Sequence, residues 1–197
     1  MYDHYLALIF DMDGTVIDSL PAHQTAWEQI LGQYHIPYTG AQMNYLNGWP
    51  ALQTVDYLCQ HASIHSLDIA AISAEKEALY QKIARKMVVP TPIVDIVKRY
   101  AHKPIAIGTG ATTLEASTLL AHLGIDTLFP VIVGSDQVKA HKPSPETFLR
   151  CAQLLDVAPE HCVVFEDAQA GFDAATAAGM TYVDVRNIWQ GHYFDGI

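Results

Sequence analysis

The sequence has few cysteines, and they form no motif. Cys59, Cys151 and Cys162 are the only three among 197 residues, and no two of them form a CxxC pair. A disulfide framework or a structural zinc site needs more cysteines at closer spacing. We therefore expect three reduced core thiols, as in a cytoplasmic protein. The ten histidines also lack the spacing of metal ligands.

Long apolar runs and an excess of positive charge are missing as well. No apolar stretch approaches the roughly 18 residues that a membrane-spanning helix requires, so no membrane partner is expected. The first ten residues, MYDHYLALIF, lack the basic start and the cleavage site of a signal peptide and are expected to lead into a strand. With 11 Lys and Arg against 21 Asp and Glu, the net charge of −10 disfavours nucleic acid as a partner.

What the sequence does contain is short, apolar, β-branched segments that alternate with helical patterns. This alternation predicts an α/β fold, a Rossmann-like parallel five-stranded sheet flanked by helices. Strands are expected at Leu6–Phe10, Ile105–Gly108, Val131–Val133, Val163–Phe165 and Tyr182–Val185. Helices between the later strands are expected at Thr112–Leu123, Pro145–Leu155 and Ala168–Ala178.

Nearly a hundred residues separate the first two strands, and their pattern is helical throughout. An all-helical block inside such a crossover predicts a small cap domain, residues 18–89, inserted into a core of residues 1–17 and 90–197. Hinges are expected near Thr15–Leu20 and Val88–Pro92, where VVPTP breaks the helical pattern. The clearest cap helices are predicted at Pro21–Gln33, Pro50–His61 and Ser66–Met87.

Polar residues with matching chemistry follow the predicted strands. Ligands of open α/β sheets bind at the carboxyl ends of the strands, so these residues are expected to share one edge. Converging carboxylates require a hard cation such as Mg²⁺, while a hydroxyl, a lysine and helix-start N–H groups suit phosphoryl oxygens. The pattern therefore predicts phosphoryl transfer, with one aspartate as nucleophile and another moving the proton. The residues are Asp11, Asp13, Thr109, Gly110, Lys142, Glu166 and Asp167.

Each set also has a simpler interpretation. An isolated DxDG is usually a turn. It also resembles the start of an EF-hand calcium loop, but that loop requires glycine where this chain has Val16 and a closing glutamate where it has Ala22, so it is excluded. GTGATT has Thr113 at the third glycine position of the dinucleotide fingerprint, and the chain has no GK[ST] phosphate loop. Lys142 alone is compatible with a solvated loop. The Glu–Asp pair at 166–167 is compatible with a helix cap.

Four motifs in order, FDMDGT, GTG, KP and FEDA, resemble those of the haloacid dehalogenase-like phosphohydrolases, and the insert resembles their helical cap. More narrowly, the chain resembles the β-phosphoglucomutase-like branch. HKPSPETF and CVVFEDAQAG are similar to the corresponding stretches of bacterial fructose-1-phosphate and 6-phosphogluconate phosphatases.

The resemblance implies a role for each core position. Asp11 would be the nucleophile and a Mg²⁺ ligand, and Asp13 the general acid and base, whose backbone carbonyl also binds the metal. Asp167 would ligate Mg²⁺, with Glu166 ligating it directly or through water. The phosphoryl oxygens would bind Thr109, Gly110 and Lys142.

Two cap residues are candidates for substrate contacts. Lys76 lies within the apolar stripe of its helix, and His23 heads a stripe with Trp27. The mutase branch has a lysine and a histidine at similar places. The alternatives are a lysine whose head reaches solvent and a packed histidine. The cap loop YLNGWP supplies Asn47 and Trp49 as further candidates, with core packing as the alternative for its aromatic residues.

The preferred function is a Mg²⁺-dependent phosphatase of a small sugar phosphate or sugar acid phosphate, and the alternative is a phosphosugar mutase. Mutases of this branch usually have valine at the position of Thr15 and an arginine in the cap loop, whereas NGWPAL has none. A phospho-acceptor switch of the receiver type is a third class, but it lacks DxDGT and a helical insert. Like other small capped enzymes of this kind, the chain is expected to be monomeric.

Overall fold

The computed structural model describes residues 1–189 and divides them into two compact units. Met1–Asp18 and Val89–Trp189 form the described part of the core unit, and Ser19–Val88 forms the helical unit. The predicted core domain extended to residue 197, and its last eight residues lie outside the described part. None of the described helices is both long and apolar enough to cross a membrane.

The core unit contains a five-stranded parallel sheet. Its central strand pairs on both sides, with Leu8 opposite Ile105 on one neighbour and opposite Val163 on the other. The strands are β1 (Ala7–Phe10), β4 (Ile105–Gly108), β5 (Val131–Val133), β6 (Cys162–Glu166) and β7 (Thr181–Asp184). Their order across the sheet is β5-β4-β1-β6-β7. The predicted α/β fold with a parallel five-stranded sheet is confirmed.

Within residues 1–189, the core unit contains four α-helices: α5 (Ile93–Arg99), α6 (Thr113–His122), α7 (Glu146–Leu155) and α8 (Gln169–Ala177). The last three pack against strands of the sheet. Alternate residues of a strand face the same side, so Ala7 and Ile9 of β1 pack with Phe148 and Cys151 of α7 in one buried cluster. All three cysteines of the chain are buried free thiols, as the sequence predicts.

A short antiparallel ribbon corrects the prediction of helix throughout the crossover. It pairs β2 (Ile17–Asp18) with β3 (Val89–Pro90), inside the two stretches predicted to be hinges. Thr91 strengthens the pairing, since its N–H donates to Val16 and its hydroxyl donates to the carbonyl of Thr15 at 2.5 Å. Strands of two residues carry no detectable alternation, which is why the sequence pattern misses them.

The helical unit consists of α1 (Leu20–Gln33), α2 (Gly40–Tyr45), α3 (Ala51–His61) and α4 (Ile69–Met87). α4 packs against both α1 and α3. Thr39 and Gln42 form a reciprocal capping box at the start of α2, and the side chain of Asp68 caps α4. The apolar interior includes Trp27, Leu31, Met43, Val55, Leu58 and Ile72.

Candidate active site

Three adjacent strands of the core sheet bring the predicted polar residues to one edge. Asp11 directly follows β1, Thr109 follows β4, and Glu166 ends β6. These strands are parallel neighbours in the order β4-β1-β6, so their carboxyl ends lie side by side. The local sequence produces this arrangement because each strand is fully buried and its first strongly polar residue comes where the strand ends.

The turn after β1 explains the glycine in FDMDGT. The backbone carbonyl of Met12 accepts hydrogen bonds from Val16 at 2.9 Å and from Ile17 at 3.0 Å, which closes a tight turn. Gly14 has a φ of +78°, and a Cβ there would lie 2.4 Å from Oδ2 of Asp167. Glycine is therefore required twice, for its backbone conformation and for the approach of that carboxylate.

Lys142 joins two carboxylates of this edge. Its Nζ donates to Oδ1 of Asp11 at 2.6 Å and to Oε1 of Glu166 at 2.8 Å, and it lies 4.6 Å from the centre of the Phe148 ring. The lysine side chain is only 9 % exposed, so the solvated-loop interpretation is wrong. Burial alone would lower the pKa of Lys142, but the two carboxylates outweigh burial and raise it, which keeps the ammonium charged.

Asp11, Glu166 and Asp167 form a buried acidic cluster, in which one oxygen from each lies within 4.8 Å of the others. The pKa of Asp11 is raised to about 7: burial is the largest cause, Lys142 opposes it, and the charge of Glu166 adds to the increase. Burial, followed by the charges of Glu166 and Asp11, raises the pKa of Asp167 well above its ordinary value. Carboxylates in this situation require a proton or a cation.

One carboxylate oxygen of the cluster indicates a cation site. Oδ2 of Asp167 is buried and has no hydrogen-bond partner among the described residues, whereas Oδ1 is 3.4 Å from the hydroxyl of Thr15. A buried oxygen without a donor, beside two further carboxylates, fits a hard divalent ion that prefers oxygen ligands. The side chain of Asp13 is not part of this cluster, and the resemblance implied only its backbone carbonyl as a ligand.

Thr109 and Gly110 lie in the turn between β4 and α6. Thr109 is buried, and its hydroxyl oxygen accepts the N–H of Ala111 at 3.1 Å. Gly110 is exposed, and nothing lies within 4 Å of the place where a Cβ would be. A capping box of Thr112 and Glu115 then begins α6. The structure thus places a hydroxyl and a bare backbone next to a helix start, and their predicted role in phosphate binding stays a prediction.

The sequence is also compatible with Glu166 as a simple N-terminal cap of the following helix, but α8 has no side-chain cap. Its Oε2 accepts the N–H groups of Asp167 and Ala168, both at 2.7 Å, ahead of the first helical residue. Its Oε1 remains turned to Lys142. The same carboxylate therefore fixes the turn after β6 and holds the lysine.

Glu146, which the sequence reasoning missed, fixes the loop that carries Lys142. Its two carboxylate oxygens accept the N–H groups of Lys139 and Ala140, each at 2.9 Å. These bonds hold the backbone just before the lysine. The available signal was an acidic residue in the first turn of a helix, within SPET, which suggested no more than a cap.

In the helical unit, Lys76 and His23 contact each other. Nζ of Lys76 lies 3.0 Å from Nδ1 of His23 and 3.0 Å from Oε1 of Glu77, and it faces the rings of Trp27 and Tyr80. The His23 ring stacks on Tyr80 at 3.8 Å. Lys76 is only 3 % exposed, so the interpretation of a lysine reaching solvent is wrong.

The two cap-loop candidates differ in their surroundings. Trp49 is partly buried against the apolar interior of the helical unit and packs near Tyr57 with ring centres 6.1 Å apart. Asn47 follows α2 and is half-buried. Trp49 therefore packs at least partly in the core of its unit, as the alternative interpretation expected. The predicted substrate contact of Asn47 stays a prediction.

Fold and site together define a class of protein. The family model described as haloacid dehalogenase-like hydrolase matches residues 8–185, which is most of the chain. The chain therefore belongs to the haloacid dehalogenase-like hydrolases, and the predicted β-phosphoglucomutase-like branch is confirmed by the relatives below.

Three relatives illustrate that branch. The fructose-1-phosphate phosphatase YqaB of Escherichia coli (strain K12) is 45 % identical over 187 residues, which cover 94 % of this chain and 99 % of that protein. A β-phosphoglucomutase of Bacillus subtilis (strain 168) is 30 % identical, over 91 % and 82 % of the two chains. The crystal structure of a β-phosphoglucomutase from Clostridium difficile superposes with a TM-score of 0.80 at 26 % identity, covering 95 % and 88 %.

Proposed function

We propose that the chain is a Mg²⁺-dependent phosphatase that hydrolyses a small sugar phosphate of the fructose 1-phosphate or 6-phosphogluconate type. Membership of the hydrolase family and the phosphatase among its relatives support hydrolysis of a phosphoric monoester. The observation that carries the proposal is the buried carboxylate of Asp11, held 2.6 Å from Lys142 at the carboxyl edge of the sheet. This is a nucleophile beside the charge that a phosphoryl group needs.

Mg²⁺ would be held by Asp11, Asp167 and the backbone carbonyl of Asp13, with Glu166 binding directly or through water. The partnerless oxygen of Asp167 and the three-carboxylate cluster support this assignment. When bound, the ion supplies positive charge that offsets the negative charge of the carboxylates and of the phosphoryl oxygens.

Asp11 would begin the reaction by attacking phosphorus with one carboxylate oxygen. A bond forms between that oxygen and phosphorus, and the bond from phosphorus to the sugar oxygen breaks, which leaves an aspartyl phosphate. Lys142 stays within reach of Asp11 and would neutralise the transferring group. Thr109 and Gly110 would donate hydrogen bonds to the phosphoryl oxygens.

Asp13 would move the proton in both halves of the reaction. In the first half its protonated carboxyl gives the proton to the departing sugar oxygen, which leaves as an alcohol. In the second half the carboxylate takes a proton from water while the water oxygen attacks phosphorus. The bond between phosphorus and the Asp11 oxygen breaks, so inorganic phosphate is released, Asp11 regains its carboxylate, and Asp13 is protonated again.

The sugar would be selected by residues of the helical unit. His23 and Lys76 are the first candidates, because their mutual contact fixes two polar groups beside aromatic rings. Asn47 and Trp49 are further candidates from the loop after α2. Their contacts with substrate are part of the proposal.

A phosphosugar mutase is the second candidate, because two of the relatives are β-phosphoglucomutases. Two features favour the phosphatase. The loop NGWPAL has no arginine to hold a second phosphate. Position 15 is a threonine, whose buried hydroxyl lies 3.4 Å from Asp167.

The test is inorganic phosphate release from fructose 1-phosphate, 6-phosphogluconate and β-glucose 1-phosphate, with and without Mg²⁺. We expect Mg²⁺-dependent release that Asp11→Asn abolishes, because an amide oxygen is a poor nucleophile. Asp126→Asn, a change outside the site, is the matched control and should keep activity. Conversion of β-glucose 1-phosphate to glucose 6-phosphate without release would instead establish the mutase.

A further inference from the structure

Gly171 lies in α8 and faces the carboxylate of Glu166. An ideal Cβ at position 171 would lie 1.8 Å from Oε1, 2.0 Å from Cδ and 2.5 Å from Cγ of that glutamate. Real Cβ atoms essentially never approach another atom closer than 3.0 Å. The end of the Glu166 side chain therefore occupies the space that any other residue at 171 would fill.

Backbone conformation does not explain this glycine. Gly171 lies within a regular helix and its φ angle is not positive. The glycines with positive φ angles are Gly14, Gly48, Gly124 and Gly179. A helical glycine without a packing reason is less stable than alanine. The reason for glycine at 171 is the space it leaves.

Glu166 cannot give way without losing bonds. It is 2 % exposed, and it is held by Lys142 on one oxygen and by the N–H groups of Asp167 and Ala168 on the other. The atoms that would collide with a Cβ include Cδ and Cγ, so rotation of the carboxylate alone does not relieve the contact. A side chain at 171 must displace the whole carboxylate.

We propose that Gly171 is a positioning residue for the reaction: its missing side chain lets Glu166 reach Lys142 and hold the ammonium against Asp11. Displacement of Glu166 leaves Lys142 with Asp11 as its remaining carboxylate partner in the site, so the ammonium loses its second anchor. The role of Lys142 in turnover rests on the proposed function, whereas the space that Gly171 leaves for the Glu166 side chain does not.

Gly32 provides a matched control. It also lies inside a helix, α1, but nothing lies within 4 Å of the place where its Cβ would be. Gly32→Ala is expected to raise the Tm or leave it unchanged, because alanine is the better helix former. Its kcat should equal that of the wild type.

The experiment is a double-mutant cycle on the metal-free protein, with Gly171→Ala made in the wild type and in Glu166→Ala. We expect Gly171→Ala to lower the Tm by several degrees in the wild type and not to lower it once Glu166 is truncated, because the colliding atoms are gone. An equal fall of the Tm in both backgrounds would overturn the proposal. If Gly171→Ala alone does not fold, a folded double variant supports the claim that Gly171 leaves space for the Glu166 side chain. A double variant that does not fold refutes that claim.

Turnover tests the positioning role. Well below its Tm, Gly171→Ala should lose on the order of 10²-fold in kcat, the scale of an ångström-sized misplacement, while Gly32→Ala loses nothing. Wild-type kcat in Gly171→Ala would refute positioning even if the thermal cycle shows crowding. If the wild type releases no phosphate from any substrate, the proposed function fails, and the thermal cycle still decides the clearance.

Discussion

Lys142 in the core unit and Lys76 in the helical unit both have side chains that are less than a tenth exposed, but their surroundings differ. Lys142 lies between two carboxylates that are themselves buried. Lys76 faces a histidine, two aromatic rings and Glu77, whose side chain is 41 % exposed.

The difference is one of charge balance. Removing Lys142 leaves buried negative charge without a partner, which is strongly unfavourable. Removing Lys76 leaves rings that accept apolar atoms and a glutamate that water can solvate. The core lysine is thus fixed by electrostatics, whereas the lysine of the helical unit is held by weaker, replaceable contacts.

The largest effect is expected for Lys142→Met. Without the ammonium, neither Asp11 nor the transferring phosphoryl group is neutralised, and kcat should fall by about 10²- to 10³-fold. The free energy of unfolding of the metal-free protein should fall by roughly 3–5 kcal/mol, as when one partner of a buried pair is removed. Steady-state kinetics and thermal melts measure the two effects.

Lys139→Met is the control for that variant. Lys139 lies three positions earlier on the same loop with an exposed side chain, and its backbone N–H, which the substitution keeps, donates to Glu146. This change should leave kcat and Tm near the wild-type values. Equal effects of the two substitutions would remove the distinction between a buried, paired lysine and a surface one.

Metal removal should reveal the charge in the core. The folded pKa of Asp11 is raised to about 7, from an ordinary 3.8, so between these pH values the metal-free folded state binds more protons than the unfolded state. The free energy of unfolding should therefore decrease as the pH rises from about 4 to about 7. The raised pKa of Asp167 acts in the same direction.

Mg²⁺ should reverse this loss, because at the proposed site it would bind the deprotonated carboxylates. At 100 times its Kd it adds about 2.7 kcal/mol, which corresponds to a Tm higher by about 5–10 °C for a chain of this size. Thermal melts with EDTA or Mg²⁺ at pH 5.5 and 7.5 should show the larger increase at pH 7.5. The same increase at both pH values would contradict a cluster whose carboxylates titrate in this range.

The sequence predicted the core site better than it predicted the helical unit, for a physical reason. Parallel strands place their last residues at one edge whatever the connections do, so Asp11, Thr109 and Glu166 could be grouped from short motifs alone. The contact of Lys76 with His23 joins residues 53 positions apart on two helices. Helical periodicity placed both on apolar stripes but contained no information on how the helices pack.

The sequence did not predict how closely side chains approach one another, nor the strands of only two residues. The need for glycine at 171 depends on where the Glu166 side chain turns, which no local pattern contains. The bidentate contact of Glu146 with the loop before Lys142 likewise depends on the loop's path. By contrast, the strands and helices longer than two residues that were predicted begin and end within three residues of their predicted bounds.

The smallest effect is expected for Lys76→Met, which tests the other side of the comparison. Methionine is an unbranched apolar side chain that suits the faces of Trp27 and Tyr80, so the Tm should stay close to that of the wild type. If Lys76 donates one charged hydrogen bond to the substrate, its loss should lower kcat/KM about tenfold or somewhat more. Lys82→Met, an exposed change on the same helix, should lower neither quantity. A lower Tm with unchanged kcat/KM would assign Lys76 to the packing of the helical unit, and Lys142 would then be the functional lysine of the pair.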